Sequence, residues 1–221
     1  MQEIIEKLAL CVEKGKISRK YPFPPEMKDQ DGADEIAFEA LQNGVPPQIL
    51  LDGCMLGMER IGKLYSENKV FIPNLLVAAQ AMTTVMKHLK PYLESGSVKQ
   101  KGKFLIGTVS GDLHDIGKNL VAMAIRGGGF EVIDLGVDVS SQKFLDTIAQ
   151  HPDCFVGLSA LLTTTMVNME KSVKVIKESY PHIKVLVGGA PVTRDFSTKI
   201  GADFSSHNPQ DVVEYLNNCL I

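Results

Sequence analysis

The apolar residues of this chain keep one period before the polar stretch ESGSVKQKG (94–102) and another after it. Before it they recur every three or four residues, the spacing of one helix face; after it they gather in short runs rich in β-branched residues. No single layer of structure satisfies both periods, so the chain is expected to build two domains, 1–95 and 96–221, each around its own core.

In the first half Ile4, Ile5, Leu8, Cys11 and Val12 share one face of a first helix, and a second spans 33–42. Pro46-Pro47 opens a third, carried by Leu50, Leu51, Cys54, Met55, Met58 and Ile61 toward Tyr65. Pro73 opens a fourth through Leu76, Ala79, Met82, Met86 and Leu89. Short connections make these an antiparallel four-helix bundle. The exception is residues 14–32, which contain KYPFPPEMKDQDG: a long loop whose turn residues allow no helix.

In the second half the runs FLIGTV, FEVIDLGV, CFVGLSALL and IKVLVGG are separated by amphipathic helical stretches, and ADFSS (202–206) precedes a last helix near 209–219. This is the βαβ rhythm of a five-stranded, doubly wound parallel sheet of flavodoxin or Rossmann type, so the fold class is α/β with an N-terminal helical bundle. Such sheets bind ligands beyond the carboxyl ends of their strands. The loops there are where chemistry is expected.

Several function classes drop out on composition. The formal charge is −3 and neither half is basic, which excludes a nucleic-acid module. The N-terminal segment MQEIIEKLAL carries acids where a signal peptide carries positive charge, and no apolar run approaches the roughly 20 residues of a membrane span. A cytoplasmic protein is expected. Cys11, Cys54, Cys154 and Cys219 lie far apart, so they read as reduced, mostly buried thiols and not as a zinc, iron–sulfur or disulfide framework.

The loop after the first strand reads Ser110-Gly111-Asp112-Leu113-His114-Asp115-Ile116-Gly117-Lys118. It lacks the glycine patterns of dinucleotide and P-loop sites. It offers a histidine at a strand's carboxyl end with a carboxylate two residues earlier. A metal-binding histidine needs its other ring N–H held by an acceptor, and Asp112 is placed to be that acceptor. Taken alone, the same residues also suit a surface histidine and helix N-cap acids. Two further loops at the same edge carry Ser159-Ala160-Leu161-Leu162-Thr163-Thr164-Thr165 and Gly188-Gly189-Ala190.

DxHxxG, SxL and GG, in that order and with Ser159 45 positions after His114 and Gly188 29 positions after Ser159, resemble the signature of the B12-binding domain family. The resemblance implies that His114 displaces the base of cobalamin and becomes the lower axial cobalt ligand, with Asp112 and Thr165 completing a proton relay behind it. It also implies that Gly111, Asp115, Ile116 and Gly117 of the same loop bind the cofactor with Asp112 and His114. The nucleotide tail would descend between Ser159, Leu161 and Thr163 on one side and Gly188, Gly189 and Ala190 on the other. Glycines let a ligand lie on the backbone, and hydroxyls serve its amides and sugar.

GMERIGKLYSENKVFIPNLLVAAQAM (57–82) resembles the helical cap of the methylcobalamin branch of that family. The match puts Tyr65 and Ile72 over the methyl group, with tyrosine where phenylalanine is more familiar. Residues 14–32 also depart from the pattern, which connects its first helices more tightly. A cap plus a B12 domain resembles the corrinoid subunits of anaerobic methyl-transfer systems, which are carriers and not enzymes by themselves. The implied partners are a substrate-specific methyltransferase, an acceptor methyltransferase using tetrahydrofolate or a thiol, and a reductive activase. The alternatives are a B12-dependent regulator or sensor, a mutase small subunit and a flavodoxin-like receiver. The first would carry a DNA-binding module, the second would lack the cap, and the third gives no account of the three motifs together.

Overall fold

The computed structural model describes residues 1–220. The chain divides into two compact units, Met1–Lys99 with Gly127–Gly129, and Gln100–Arg126 with Phe130–Ile221.

The first unit is built from α1 (Gln2–Lys14), α2 (Ala33–Gln42), α3 (Pro47–Ser66) and α4 (Ile72–Glu94). Prolines at the first positions of α3 and α4 suit helix starts, where no intrahelical N–H bond is lost. The periodic residues form the core: Leu8, Cys11, Val12, Leu50, Leu51, Cys54, Met58, Ile61, Ala79, Met82 and Leu89 are all buried. Gly57 lets α1 and α3 approach closely, because a Cβ there would sit 2.6 Å from the carbonyl oxygen of Ala9 and 2.7 Å from Cβ of Val12. A helical face this tight admits no larger residue without separating the pair.

Residues 14–32 depart from the expectation in one respect. They contain a single 3-10 turn, Pro25–Met27, which the fixed φ of Pro25 favours. The segment is also pinned at both ends. Lys16 is fully buried and its ammonium donates to the Tyr21 carbonyl at 2.9 Å. The Glu35 carboxylate accepts the backbone N–H of Arg19 at 2.9 Å and of Gly32 at 3.0 Å.

The second unit carries β1 (Lys103–Thr108), β2 (Glu131–Asp134), β3 (Phe155–Ser159), β4 (Val185–Gly188) and β5 (Phe204–Ser205), with α5 (Ile116–Gly127), α6 (Ser141–Gln150), α7 (Met166–Ser179), α8 (Arg194–Lys199) and α9 (Pro209–Asn218) between and after them. The sheet is parallel in the order β2-β1-β3-β4-β5. Alternate residues serve opposite faces: Leu105, Val156, Leu158, Val185 and Val187 enter one core cluster, Phe104, Ile106 and Leu186 the other. Both faces are therefore apolar, as a sheet covered by helices on each side requires. β2 stops at Asp134 instead of running to Val137. The Asp134 carboxylate accepts the N–H of Gly136 at 2.9 Å, and Gly136 turns the chain at φ 84.

Two features of the sheet place the site. The strand order reverses its direction between β1 and β3, which opens a crevice at their carboxyl ends. Register then aligns three strand ends in one row, since Thr108 pairs with Ser159 and Ser159 with Gly188. The three motif loops consequently leave the sheet side by side.

Candidate functional site

Asp112 is the hub of this edge. It is 0% exposed, and five donors converge on its carboxylate. Oδ1 accepts Nδ1–H of His114 at 2.8 Å and the His114 backbone N–H at 3.1 Å. Oδ2 accepts the N–H groups of Leu161 at 2.8 Å and Leu162 at 3.2 Å, and the Thr165 hydroxyl at 2.7 Å. Burial pushes the carboxyl up, but the hydrogen bonds from Thr165, His114 and Leu161 overcome it and hold the group well below the usual carboxylate range. Asp112 is ionised at neutral pH.

An ionised carboxylate only accepts, so Nδ1 of His114 carries the proton and Nε2 keeps a lone pair. The imidazole is 51% exposed, which makes Nε2 available to a metal brought from outside. Leu113 and Ile116, 72% and 77% exposed, flank it with apolar surface that water does not favour. The histidine backbone is held as well, since Thr108, itself buried, donates its hydroxyl to the His114 carbonyl at 2.9 Å. The Thr165 hydroxyl has a second acceptor, the Leu162 carbonyl at 2.8 Å. It has one proton to give, so it serves one of them at a time.

The neighbouring loops are stitched to the first. Val109 N–H donates to the Ser159 carbonyl at 3.0 Å, and Ala160 N–H to the Gly188 carbonyl at 3.1 Å. Gly189, at φ 131, lies so close to the next loop that a Cβ would stand 1.8 Å from the carbonyl oxygen of Ala160. Only glycine fits there. Ser159 ends β3 half-buried, and Gly188 ends β4 beside it. Leu161, Thr163 and Ala190 stand exposed above the edge, as do Gly111, Asp115 and Gly117 along the first loop. Asp115 is engaged locally, accepting from Asn119 at 3.0 Å. The structure thus gathers Asp112, His114, Thr165 and the Leu161 backbone into one network, with Ser159, Gly188 and Gly189 alongside. Tyr65, at the end of α3, and Ile72, at the start of α4, belong to the helical unit; Ile72 is 39% exposed and Tyr65 half-buried.

Sequence reasoning passed over three contributors. Thr108, Asp138 and Asn168 all bond to the His114 loop or its carbonyls. A buried threonine at a strand end and an aspartate in a turn carry no distinctive pattern, although Asp138 adopts φ 54, a conformation for which aspartate is one of the few suited side chains.

B12 binding domain models match residues 102–211 and, separately, residues 28–90. Trimethylamine corrinoid protein 1 of Methanosarcina acetivorans is 39% identical over 198 residues, covering 87% of this chain and 92% of that protein. The chain belongs to the B12-binding corrinoid proteins. Dimethylamine corrinoid protein 3 of the same organism is 37% identical over 84% of this chain and 88% of its own length. Among solved structures, the methanol:cobalamin methyltransferase complex of Methanosarcina barkeri matches with a TM-score of 0.82 at 27% identity, covering 99% of this chain and 80% of that one. As a corrinoid protein the chain is a methyl carrier of the kind found with methyltransferases.

The residues fit the cofactor. Among the described residues no three His, Cys, Asp or Glu side chains gather to hold a metal ion. The protein offers one imidazole with its lone pair outward, which is the donor set for a cobalt already held by a macrocycle. The apolar flanks Leu113 and Ile116 suit a large, partly apolar ligand lying on the loops. Among the described residues no helix is long and apolar enough to cross a membrane.

Proposed function

We propose that this corrinoid protein receives a methyl group from a methylated amine through a substrate-specific methyltransferase and yields it to an acceptor methyltransferase. The observation that carries the reading is the Asp112–His114 pair on the loop that follows Thr108, the strand end in register with Ser159 and Gly188. The amine is favoured by the two Methanosarcina acetivorans relatives, named for trimethylamine and dimethylamine.

When bound, the corrinoid supplies a cobalt centre that accepts and releases the methyl group. Nε2 of His114 would hold that cobalt. Asp112 fixes the tautomer and raises the basicity of the ring. Thr165 and the N–H groups of Leu161 and Leu162 keep that carboxylate charged, so the ring proton stays on Nδ1 while the ligand bond holds. Ser159, Thr163 and the Gly188-Gly189 backbone receive the cofactor's tail. On the helical unit Ile72 leaves apolar surface free, as a residue that shields a transferred methyl group requires. The acceptor is tetrahydrofolate or a thiol on a second methyltransferase, and a reductive activase restores the cofactor. The setting is cytoplasmic, consistent with four free thiols.

The test has two arms. Cobalamin added to the protein should bind without its own base, and the cobalt(II) form should show hyperfine coupling to a histidine nitrogen that His114→Ala abolishes. An unchanged signal in that variant removes His114 from the ligand role. For the donor, methyl transfer onto the loaded protein is compared for trimethylamine, dimethylamine and methanol, each with its own methyltransferase. Loading from methanol alone overturns the amine assignment.

A further inference from the structure

The loop that carries His114 is held from outside by a residue in the turn after β2. Asp138 accepts the Gly111 N–H at 2.7 Å and the Ser110 hydroxyl at 3.3 Å through one carboxylate oxygen. Its own N–H donates to the Asp112 carbonyl at 3.0 Å. On the opposite side the Asn168 amide donates to the Ser110 carbonyl at 2.7 Å. Three consecutive residues before His114 are therefore gripped by Asp138, two through the side chain and one through the backbone.

The grip matters because Asp112 is the residue it delivers. Gly111 turns at φ 82, and Asp112 must then bring its carboxylate into a buried pocket where five donors already point. A misplaced Asp112 would leave buried N–H groups unpaired and His114 without its orienting acceptor. A charge-assisted bond to the Gly111 N–H fixes the Ser110–Gly111 peptide, at the turn that leads into Asp112. The turn that delivers Asp138 is itself anchored to β1: Val139 N–H donates to the Thr108 carbonyl at 2.9 Å, and Thr108 N–H to the Gly136 carbonyl at 3.0 Å.

We propose that Asp138 is a positioning residue for the Asp112–His114 pair, acting through its carboxylate on the Ser110-Gly111 turn. The proposal rests on the reading of His114 as the cobalt ligand. Its rival is that Asp138 merely supplies a side chain compatible with φ 54.

Three substitutions separate the two. Asp138→Asn keeps both an acceptor and tolerance of the left-handed conformation. Asp138→Gly keeps the conformation and loses the acceptor, and Asp138→Ala loses both. Amide exchange at Gly111 is measured in the cofactor-free protein by NMR, with Leu105 in β1 as the control for global unfolding. The histidine hyperfine signal is measured in the cobalt(II)-loaded protein. Asp138→Asn should stay close to wild type in both. Asp138→Gly and Asp138→Ala should each exchange the Gly111 amide about tenfold faster or more, with Leu105 unchanged, and lose part of the histidine signal. A wild-type response from Asp138→Gly would show that only the backbone conformation counts and would overturn the proposal, as would an unaffected Asp138→Ala. Absence of the histidine signal in wild type defeats the ligand reading, and the positioning role falls with it. In that case faster Gly111 exchange in the variants identifies a brace of the turn alone.

Discussion

One oxygen of Asp112 accepts both the ring Nδ1–H and the backbone N–H of His114, at 2.8 and 3.1 Å. The ring's tautomer and the backbone that carries it are thus fixed by the same atom. The other oxygen is saturated by Leu161, Leu162 and Thr165, so the carboxylate cannot rotate without breaking contacts to a second loop.

Replacing Asp112 by Asn places an amide among five donors, and its own NH2 must face at least one of them. The unpaired group should cost about 1–3 kcal/mol of stability. The neutral amide also withdraws the charge that makes His114 a strong donor. Cofactor should remain bound, and the cobalt(II)/cobalt(I) midpoint should move to a less negative potential, because weaker axial donation stabilises the higher oxidation state less. Spectroelectrochemical titration of wild type and Asp112→Asn checks both. An unchanged midpoint counts against the role of the charge.

The same carboxylate should mark the acid limb of stability. Its folded pKa lies below the unfolded carboxylate value of about 3.9, so its contribution is fully present above that value and is lost as pH falls toward the folded pKa. Urea midpoints of wild type and Asp112→Asn should differ by a constant amount above about pH 5, and the difference should begin to narrow below about pH 4 and go on narrowing toward the folded pKa. Asp134 and Asp203 are also lowered, but they titrate in both proteins and cancel in the difference.

Lys118 is 3% exposed, and its ammonium donates to both oxygens of Asp134 at 2.7 and 2.6 Å and to Asn119 at 2.8 Å. It ties the start of α5 to the end of β2. Lys118→Met removes the buried partner of a solvent-accessible carboxylate and should destabilise the unit by about 1–2 kcal/mol. The double variant Lys118→Met/Asp134→Leu, which leaves no orphaned charge, should recover part of that loss. Equal stability of the single variant and wild type would mean that the pair contributes nothing.

Of the four thiols, Cys11, Cys54 and Cys154 are buried and Cys219 is exposed. Burial pushes Cys11 and Cys154 up to about 11, and Cys54 further. A thiol reagent at neutral pH should titrate one group rapidly in the native protein and four after denaturation. Cys219→Ser should abolish the rapid phase.

Shielding by Tyr65 and Ile72 is testable by light. Changing both to Ala truncates two partly exposed side chains and should leave folding and cofactor retention intact. Anaerobic photolysis of bound methylcobalamin should nevertheless speed up, because the radical pair escapes more easily. Adenosylcobalamin should bind no better than methylcobalamin. Equal photolysis rates in wild type and variant would rule out the shielding role and favour a sensor.

The sequence by itself determined the two periods, and with them the helical bundle and the parallel sheet. α2 falls on 33–42 as its spacing requires, because an amphipathic pattern fixes which residues face a core wherever that core lies. DxHxxG, SxL and GG were legible as a family signature, since chemistry at a loop demands particular residue types. What only the tertiary structure decided is how they meet. The register Thr108–Ser159–Gly188 sets three loops in one row, and β-strand register depends on long-range pairing that no local pattern encodes. The same holds for Asp138, 26 residues beyond Asp112 in the sequence, and for Thr108 and Asn168. Each is an ordinary polar residue until the sheet brings it within bonding distance of the His114 loop. Strand ends were decided in three dimensions too: β2 stops at Asp134 because its side chain captures the Gly136 N–H, a choice made by one hydrogen bond and not by hydrophobic pattern.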